Sequence, residues 1–258
     1  MRFKDKAAIV TGGANGLGRD FAVSLATEGC HVLVADFDET AGEKTVDEIC
    51  KKTGVKCIFQ KTDVTNKREV MQMIERATEE FGTIDILINN AGGSMGVPRV
   101  PIDQIEEEDW DKVVSLNFKG AFLCTQAAAL FMKKQQRGKI VNLSSITARI
   151  GGELTPVQYV ASKGAVSTFT RHVAQELGPY GINVNAVAPG IIMSGPRLQK
   201  MWDERKSGTE KKAYLEKIPL RRLGKISEIT GAVLFLCSEE SNYITGITLD
   251  VNGGLFSI

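Results

Sequence analysis

The chain is poor in cysteine and histidine and close to neutral, and each shortage removes a class of function. Five cysteines (Cys30, Cys50, Cys57, Cys124 and Cys237) are scattered over 258 residues, and none forms a Cys-x-x-Cys pair. That spacing suggests neither a zinc site nor a disulfide framework, and it reads as the reduced thiols of a cytoplasmic protein. The two histidines, His31 in a strand-like run and His172 in a helical one, read as structural; no metal is expected. Lys and Arg number 32 against 31 Asp and Glu, a formal net charge of +1. A polyanion binder wants a clear basic excess, so no nucleic-acid partner is expected. The four apolar residues Ala7 to Val10 form a run too short for a signal h-region or a membrane span, so no membrane partner is expected either.

What is present is an alternation. Short runs rich in valine and isoleucine (Ala7–Thr11, His31–Asp36, Lys56–Thr62, Ile84–Asn89, Lys139–Leu143, Asn183–Ala188, Thr248–Val251) are separated by longer segments of helical periodicity. The helical segments lie near Gly16–Glu28, Glu39–Lys52, Lys67–Phe81, Glu108–Lys134, Val157–Leu177 and Ser227–Cys237. Near-continuous apolar strands between helices predict an α/β fold, a doubly wound parallel sheet of seven strands covered on both faces. At 258 residues, with no linker or repeat, one domain is expected. The rhythm breaks between Pro189 and Pro219, where no strand pattern appears. Ligands of doubly wound folds bind outside the carboxyl ends of strands, so the stretch around 191–220 is a candidate substrate lid.

Four short motifs carry the chemistry. The first strand runs into T-G-G-A-N-G-L-G, Thr11 to Gly18. Gly12, Gly16 and Gly18 would allow a tight turn and close backbone approach to a pyrophosphate at a helix N-terminus, although glycines also mark ordinary turns. The second strand ends in Asp36, 20 residues after Gly16. An acidic side chain there accepts from the ribose hydroxyls of NAD and repels the extra phosphate of NADP; it could equally cap a helix, a task Asp38 could take. Neither Asn15 nor Phe37, flanking that position, is basic. Y-V-A-S-K, Tyr159 to Lys163, puts a phenol and an ammonium a turn apart on one helix face, as a surface pair or as a proton donor beside its activating cation.

N-N-A-G at Asn89–Gly92 and V-N-L-S-S at Val141–Ser145 complete the set. Together these motifs, with P-G-I-I at Pro189–Ile192, resemble the short-chain dehydrogenase/reductase family in its short single-domain branch, over essentially the whole chain. The resemblance implies a Rossmann fold with strand order 3-2-1-4-5-6-7 and hydride transfer between NAD and a small-molecule secondary alcohol or ketone. It implies Tyr159 as general acid/base, Lys163 as the charge that favours the phenolate and holds the nicotinamide ribose, and Ser145 as the hydrogen bond to the substrate oxygen. Asn117 matches the asparagine that kinks its helix and orders a water linked to Lys163. Cofactor contacts are implied at Gly12, Asn15, Gly16, Leu17, Gly18, Asp36, Phe37, Asp63, Val64, Asn90, Ala91, Gly92, Pro189, Gly190, Ile192 and Ser194. Relatives are usually tetramers, built through the helices around 110–135 and 157–177 and the last strand.

Departures from the family pattern matter too. Ser145 and Tyr159 are 14 apart where relatives more often have 13, and Ser144 could be argued as the catalytic serine. Relatives that reduce 3-oxoacyl groups on acyl carrier protein with NADPH carry arginines where Gln136 and Gln175 stand here, which weakens that alternative. Residues 197–222 hold nine Lys or Arg against four Asp or Glu, either a field for an anionic substrate or, more simply, a solvated helix. Trp202 could cover an apolar substrate or simply pack. A rival of another class is a redox sensor that binds NAD without turnover.

Overall fold

A computed structural model describes residues 1–152, 155–193, 195, 202–204 and 207–257. Seven parallel strands form one sheet: β1 Ala7–Thr11, β2 His31–Asp36, β3 Cys57–Lys61, β4 Ile86–Asn89, β5 Gly138–Leu143, β6 Ile182–Pro189 and β7 Thr248–Val251. Their spatial order is 3-2-1-4-5-6-7, as the sequence predicts. The register places Thr11 beside Ala35 and Asn89, and Asn89 beside Asn142, so the strand ends that carry the motifs are level.

Helices cover both faces. On one side α1 (Gly16–Thr27), α2 (Glu39–Thr53) and α9 (Ile226–Cys237) pack Phe21, Leu25, Ile49, Ile229 and Val233 against Val10, Val32 and Val34. On the other, α3 (Lys67–Phe81), α5 (Gly120–Gln135) and α7 (Val157–Leu177) pack Met73, Ile74, Cys124, Met132 and Leu177 against Ile9, Leu33 and Leu87. Val32, Leu33 and Val34 are fully buried, the double burial that a continuous apolar strand predicts. Caps set several helix starts. Asp38 takes the N-cap of α2 by accepting from the Ala41 N–H, and Asn66 caps α3.

The segment predicted as one helix over Glu108–Lys134 is three pieces. Helix α4 (Glu107–Val114) runs into a π-turn at Ser115–Lys119 and then into α5. Such a bulge inserts an extra residue in the turn, and it commonly marks a functional site. Here Asn117 sits inside it. The stretch Glu107–Gln135 is long and apolar enough to cross a membrane by composition alone, but its apolar face supplies Leu123, Cys124, Ala127 and Ala128 to the core. Two short helices, α6 (Thr147–Ile150) and α8 (Gly208–Lys217), lie outside the predicted set. Of the predicted lid around 191–220, residues 194, 196–201, 205 and 206 lie outside the described ones. Of its described part, Trp202 packs edge-on against Tyr214 at 5.5 Å.

Candidate active site

The sheet delivers its motifs to one edge. Thr11 ends β1, and its hydroxyl accepts from the N–H groups of Asn90 and Ala91, both at 3.1 Å. The Asn90 amide in turn donates to the carbonyls of Thr11 (3.0 Å) and Gly12 (2.9 Å). The N-N-A-G segment therefore braces the glycine turn. Gly12 has φ +62°, which L side chains rarely adopt. A Cβ on Gly18 would stand 2.1 Å from the Gly12 carbonyl oxygen and 2.5 Å from the Asn90 amide nitrogen. Gly18 thus fixes how closely α1 approaches the turn. A Gly18→Ala variant is expected to push turn and helix apart and weaken dinucleotide binding by roughly tenfold or more, an overpacking cost of about 1–3 kcal/mol. A fluorescence titration with the dinucleotide checks this, and unchanged affinity would refute it.

The N-terminus of α1 is open to an anion. No acidic residue occupies its first turn, and exposed Asn15 makes no capping bond with its side chain. Leu17 packs against the core from the same turn. Asp36 is buried at the end of β2, where one carboxylate oxygen accepts from the Ala14 N–H (3.0 Å) and the other from the Asp38 N–H (3.1 Å). These bonds hold the carboxylate beside the glycine turn and leave it acceptor capacity. Beside it Phe37 is 78% exposed, an aromatic face with no packing partner in the core. Asp63 is exposed beyond β3 and accepts from the N–H and hydroxyl of Thr65, while Val64 is buried. At the far side Pro189 ends β6, the Gly190 N–H donates to Val251, and Ile192 is buried against Gly224. Ser194 lies outside the described residues.

Between these walls is a cluster of proton-bearing groups. Ser145 follows β5, and Tyr159 and Lys163 share one face of α7. The Ser145 hydroxyl stands close enough to the Tyr159 phenol to lower its pKa, and it accepts from the Thr147 hydroxyl (3.0 Å) and N–H (3.2 Å). The Lys163 ammonium lies 5.6 Å from the centre of the Tyr159 ring and donates to the Leu143 carbonyl at 2.7 Å. Burial pushes the phenol up from its ordinary value, and the bond from Ser145 pulls it partly back. Burial also drives Lys163 down to about 8. Asn117 accepts from the Gly93 N–H (2.9 Å) and donates to the Gly93 and Val113 carbonyls, which ties the π-turn to the strand-end loop. Gly92 fits between the Asn117 carbonyl and the Lys163 ammonium, where a Cβ would meet them at 2.6 and 3.2 Å.

Ser144 faces away from this cluster. Its hydroxyl is buried and bonds the Lys163 carbonyl (2.9 Å) and Ser167 (2.7 Å). His31 accepts from the Lys56 N–H and stacks on Phe81, a structural role. Sequence reading missed Thr11, Thr147 and a buried amide chain in which Asn89 donates to Asn142 (2.8 Å) and Asn142 to Thr170 (2.9 Å). Polar residues closing apolar strands were the available signal. Among the described residues no group of three His, Cys, Asp or Glu could hold a metal ion.

A family profile described as enoyl-(acyl carrier protein) reductase matches residues 12–256. The chain is a short-chain dehydrogenase/reductase. It is 40% identical over 253 residues to the 3-oxoacyl-(acyl-carrier-protein) reductase of Staphylococcus aureus, covering 97% of this chain and 98% of that one. The Thermotoga maritima enzyme of the same name is 36% identical, covering 99% of each chain. Among solved structures, NAD+-bound xylitol dehydrogenase superposes with a TM-score of 0.91 at 31% identity, covering 98% of this chain and 100% of the other. Levodione reductase follows at 0.90 and 31%, covering 98% of each. The short-chain dehydrogenase/reductase is thus an oxidoreductase acting on CH–OH groups, with a nicotinamide dinucleotide as cofactor and a small molecule as substrate.

Proposed function

We propose that this enzyme interconverts a secondary alcohol and its ketone with NAD as the preferred cofactor. The observation that carries the reading is the Ser145 hydroxyl facing the Tyr159 phenol beside buried Lys163, at the strand edge that also holds the Gly12–Gly18 turn and Asp36. The residues fit a dinucleotide: an open helix N-terminus for the pyrophosphate, Asp36 for the adenosine ribose hydroxyls, Phe37 and Val64 beside the adenine, with Asp63 next to them. Asn90, Ala91 and Gly92 lead to the second ribose, which Lys163 holds. Pro189, Gly190 and Ile192 would border the carboxamide, and the contact expected at Ser194 falls outside the described residues. When bound, the nicotinamide supplies or accepts the hydride.

The chain's own residues manage the oxygen and its proton. Ser145 donates to the substrate oxygen and keeps it against the phenol. In reduction Tyr159 gives its proton to that oxygen; in oxidation it takes the proton back. Lys163 lowers the cost of the intervening phenolate by its charge. Asn117, through Gly93, holds the loop beside Lys163. The pH dependence follows. Reduction needs the phenol protonated, and burial raises that pKa, so reduction is expected to stay flat through neutral pH and fall only on the alkaline side. Oxidation needs the phenolate and should climb over the same range. Profiles of both directions test this; a reduction rate already falling with rising pH below 7 would sink the assignment.

Cofactor choice rests on Asp36. The 2′-phosphate of NADP would meet a buried carboxylate, with no basic residue at Asn15 or Phe37 to offset it. Asp36→Ala is expected to narrow the NAD-to-NADP preference by about tenfold or more, in line with a lost like-charge contact. The test is nicotinamide absorbance against time with both cofactors, over secondary alcohols, ketones and 3-oxoacyl thioesters. The second reading is reduction of 3-oxoacyl groups on acyl carrier protein with NADPH, and it is favoured by the 40% identity to a reductase of that name. Strong NADP preference on 3-oxoacyl thioesters would establish it in place of the first. We place the enzyme in the cytoplasm as a homotetramer. Phe122 and Leu130 on α5 and Val157 on α7 are exposed apolar groups on the helices such an assembly would cover, and β7 leaves a sheet edge open. Light scattering should give four times the 28.0 kDa chain mass.

A further inference from the structure

The sheet has a second end, and a cavity of about 600 Å³ opens there. It lies where the strands begin, so it is opposite the edge that carries Ser145 and the glycine turn. Lys6 precedes β1, Asp85 precedes β4, Arg137 and Lys139 flank the start of β5, and Arg2 and Glu239 complete the charged lining. Four cations therefore face two carboxylates.

The pairing is uneven. Asp85 is spent: one oxygen accepts from the Ala7 N–H at 3.0 Å and the other from Arg137 at 3.0 Å. Arg2 is engaged by Glu28 at 2.6 Å and Glu240 at 3.7 Å, carboxylates that do not line the cavity. Lys6 and Lys139 have no ion pair with any described residue. Lys139 is half-buried, and among the described residues its ammonium makes one hydrogen bond, a long one of 3.5 Å to the Ser241 hydroxyl. That hydroxyl donates toward the carbonyls of Leu236 and Ser238, both at 3.0 Å, and offers the ammonium a neutral lone pair, not a charge. A lysine drawn from water and offset only in part by Glu239, with which it forms no ion pair, is an unusual arrangement in a chain that has 31 acidic residues to place.

We propose that this cavity binds a small oxyanion, a phosphate or carboxylate group, seated between Lys139 and Lys6. Phe3 and Ile86 supply an apolar wall, and fully exposed Tyr243 stands at the rim, so the anion can carry a modest apolar or ring-shaped body. Burial lowers Lys139 from its ordinary value, with Glu239 the carboxylate that partly offsets it, and a bound anion would push it back up. The site is independent of the catalytic reading, because it shares no residue with it.

The test uses the full chain saturated with its dinucleotide, so that the phosphate-binding glycine turn is already filled. Tm is followed while inorganic phosphate, acetate or chloride is added at constant ionic strength, and calorimetry repeats the titration. A saturating rise with phosphate or with acetate, absent with chloride, is expected, and whichever anion saturates identifies the head group. Lys139→Gln should weaken that apparent affinity by about tenfold or more, the loss of one charge-assisted hydrogen bond. Lys6→Gln, at a half-buried position ahead of β1, provides the same test if the strand variant folds poorly. No saturation with either oxyanion, or equal affinity in wild type and both variants, overturns the proposal.

Discussion

Tyr159→Phe is expected to cut turnover by about 10²–10⁴-fold in both directions while dinucleotide affinity stays within about twofold, the signature of a lost proton-transfer group. The substitution removes one oxygen and keeps the ring that packs on α7. Ser145 loses a partner but retains its bonds from Thr147 at 3.0 and 3.2 Å, so the substrate-oxygen position survives. Only the proton on Tyr159 disappears. An effect confined to kcat therefore separates acid/base catalysis from a positioning role, which would raise KM as well. The same variant addresses the redox-sensor alternative. A sensor has no turnover to lose, so normal binding with abolished turnover excludes it. Turnover within a few-fold of wild type would remove Tyr159 from the chemistry.

The reading of the sequence succeeded where local patterns determine structure, and it fell short where tertiary contacts do. Val32, Leu33 and Val34 are apolar on both faces, and only a covered parallel sheet buries both, so the sequence pattern predicts the sheet and its two helical layers, while the strand order follows from the family resemblance. Asp36 and Gly18 are fixed by backbone geometry at a strand end and a helix start, and they lie where the spacing put them. Asn117 was picked out by resemblance, but the π-turn around it was not legible. Hydrophobic periodicity continues through Val113, Leu116 and Ala121, and the bulge is bought by bonds to Gly93, a residue 24 positions away. Asn90 illustrates the same limit. Its amide braces the carbonyls of Thr11 and Gly12, which no pattern within N-N-A-G reveals. The choice between Ser144 and Ser145 also needed packing, because adjacent residues leave a strand end in opposite directions and only one meets Tyr159.

Lys163→Met should separate function from stability most clearly. The ammonium is buried against the core side of α7, and its pKa falls to about 8 from the ordinary 10.5. At pH 7 both the folded and unfolded chains carry the proton, so the folded protein bears the whole cost of burying the charge. That shift corresponds to roughly 3 kcal/mol of destabilisation. The 2.7 Å bond to the Leu143 carbonyl is lost with the ammonium, and it returns about 1.5–3 kcal/mol of that sum. A net gain on the order of 1 kcal/mol is expected for the apo variant at pH 7, seen as a Tm about 2–4 °C higher for a chain of this size. The sign can be checked by pH. Between about 8 and about 10.5 the folded wild type releases its proton while the unfolded chain still holds one, so wild-type stability rises through that window. The variant's advantage should therefore vanish at about pH 9, one unit above the folded value, and turn into a disadvantage toward 10.5. Turnover should fall by at least about 10²-fold, because Tyr159 then has no cation to favour its phenolate. A variant that loses both turnover and stability at every pH would mean that Lys163 is a structural tether through Leu143, and the charge argument for Tyr159 would fall with it.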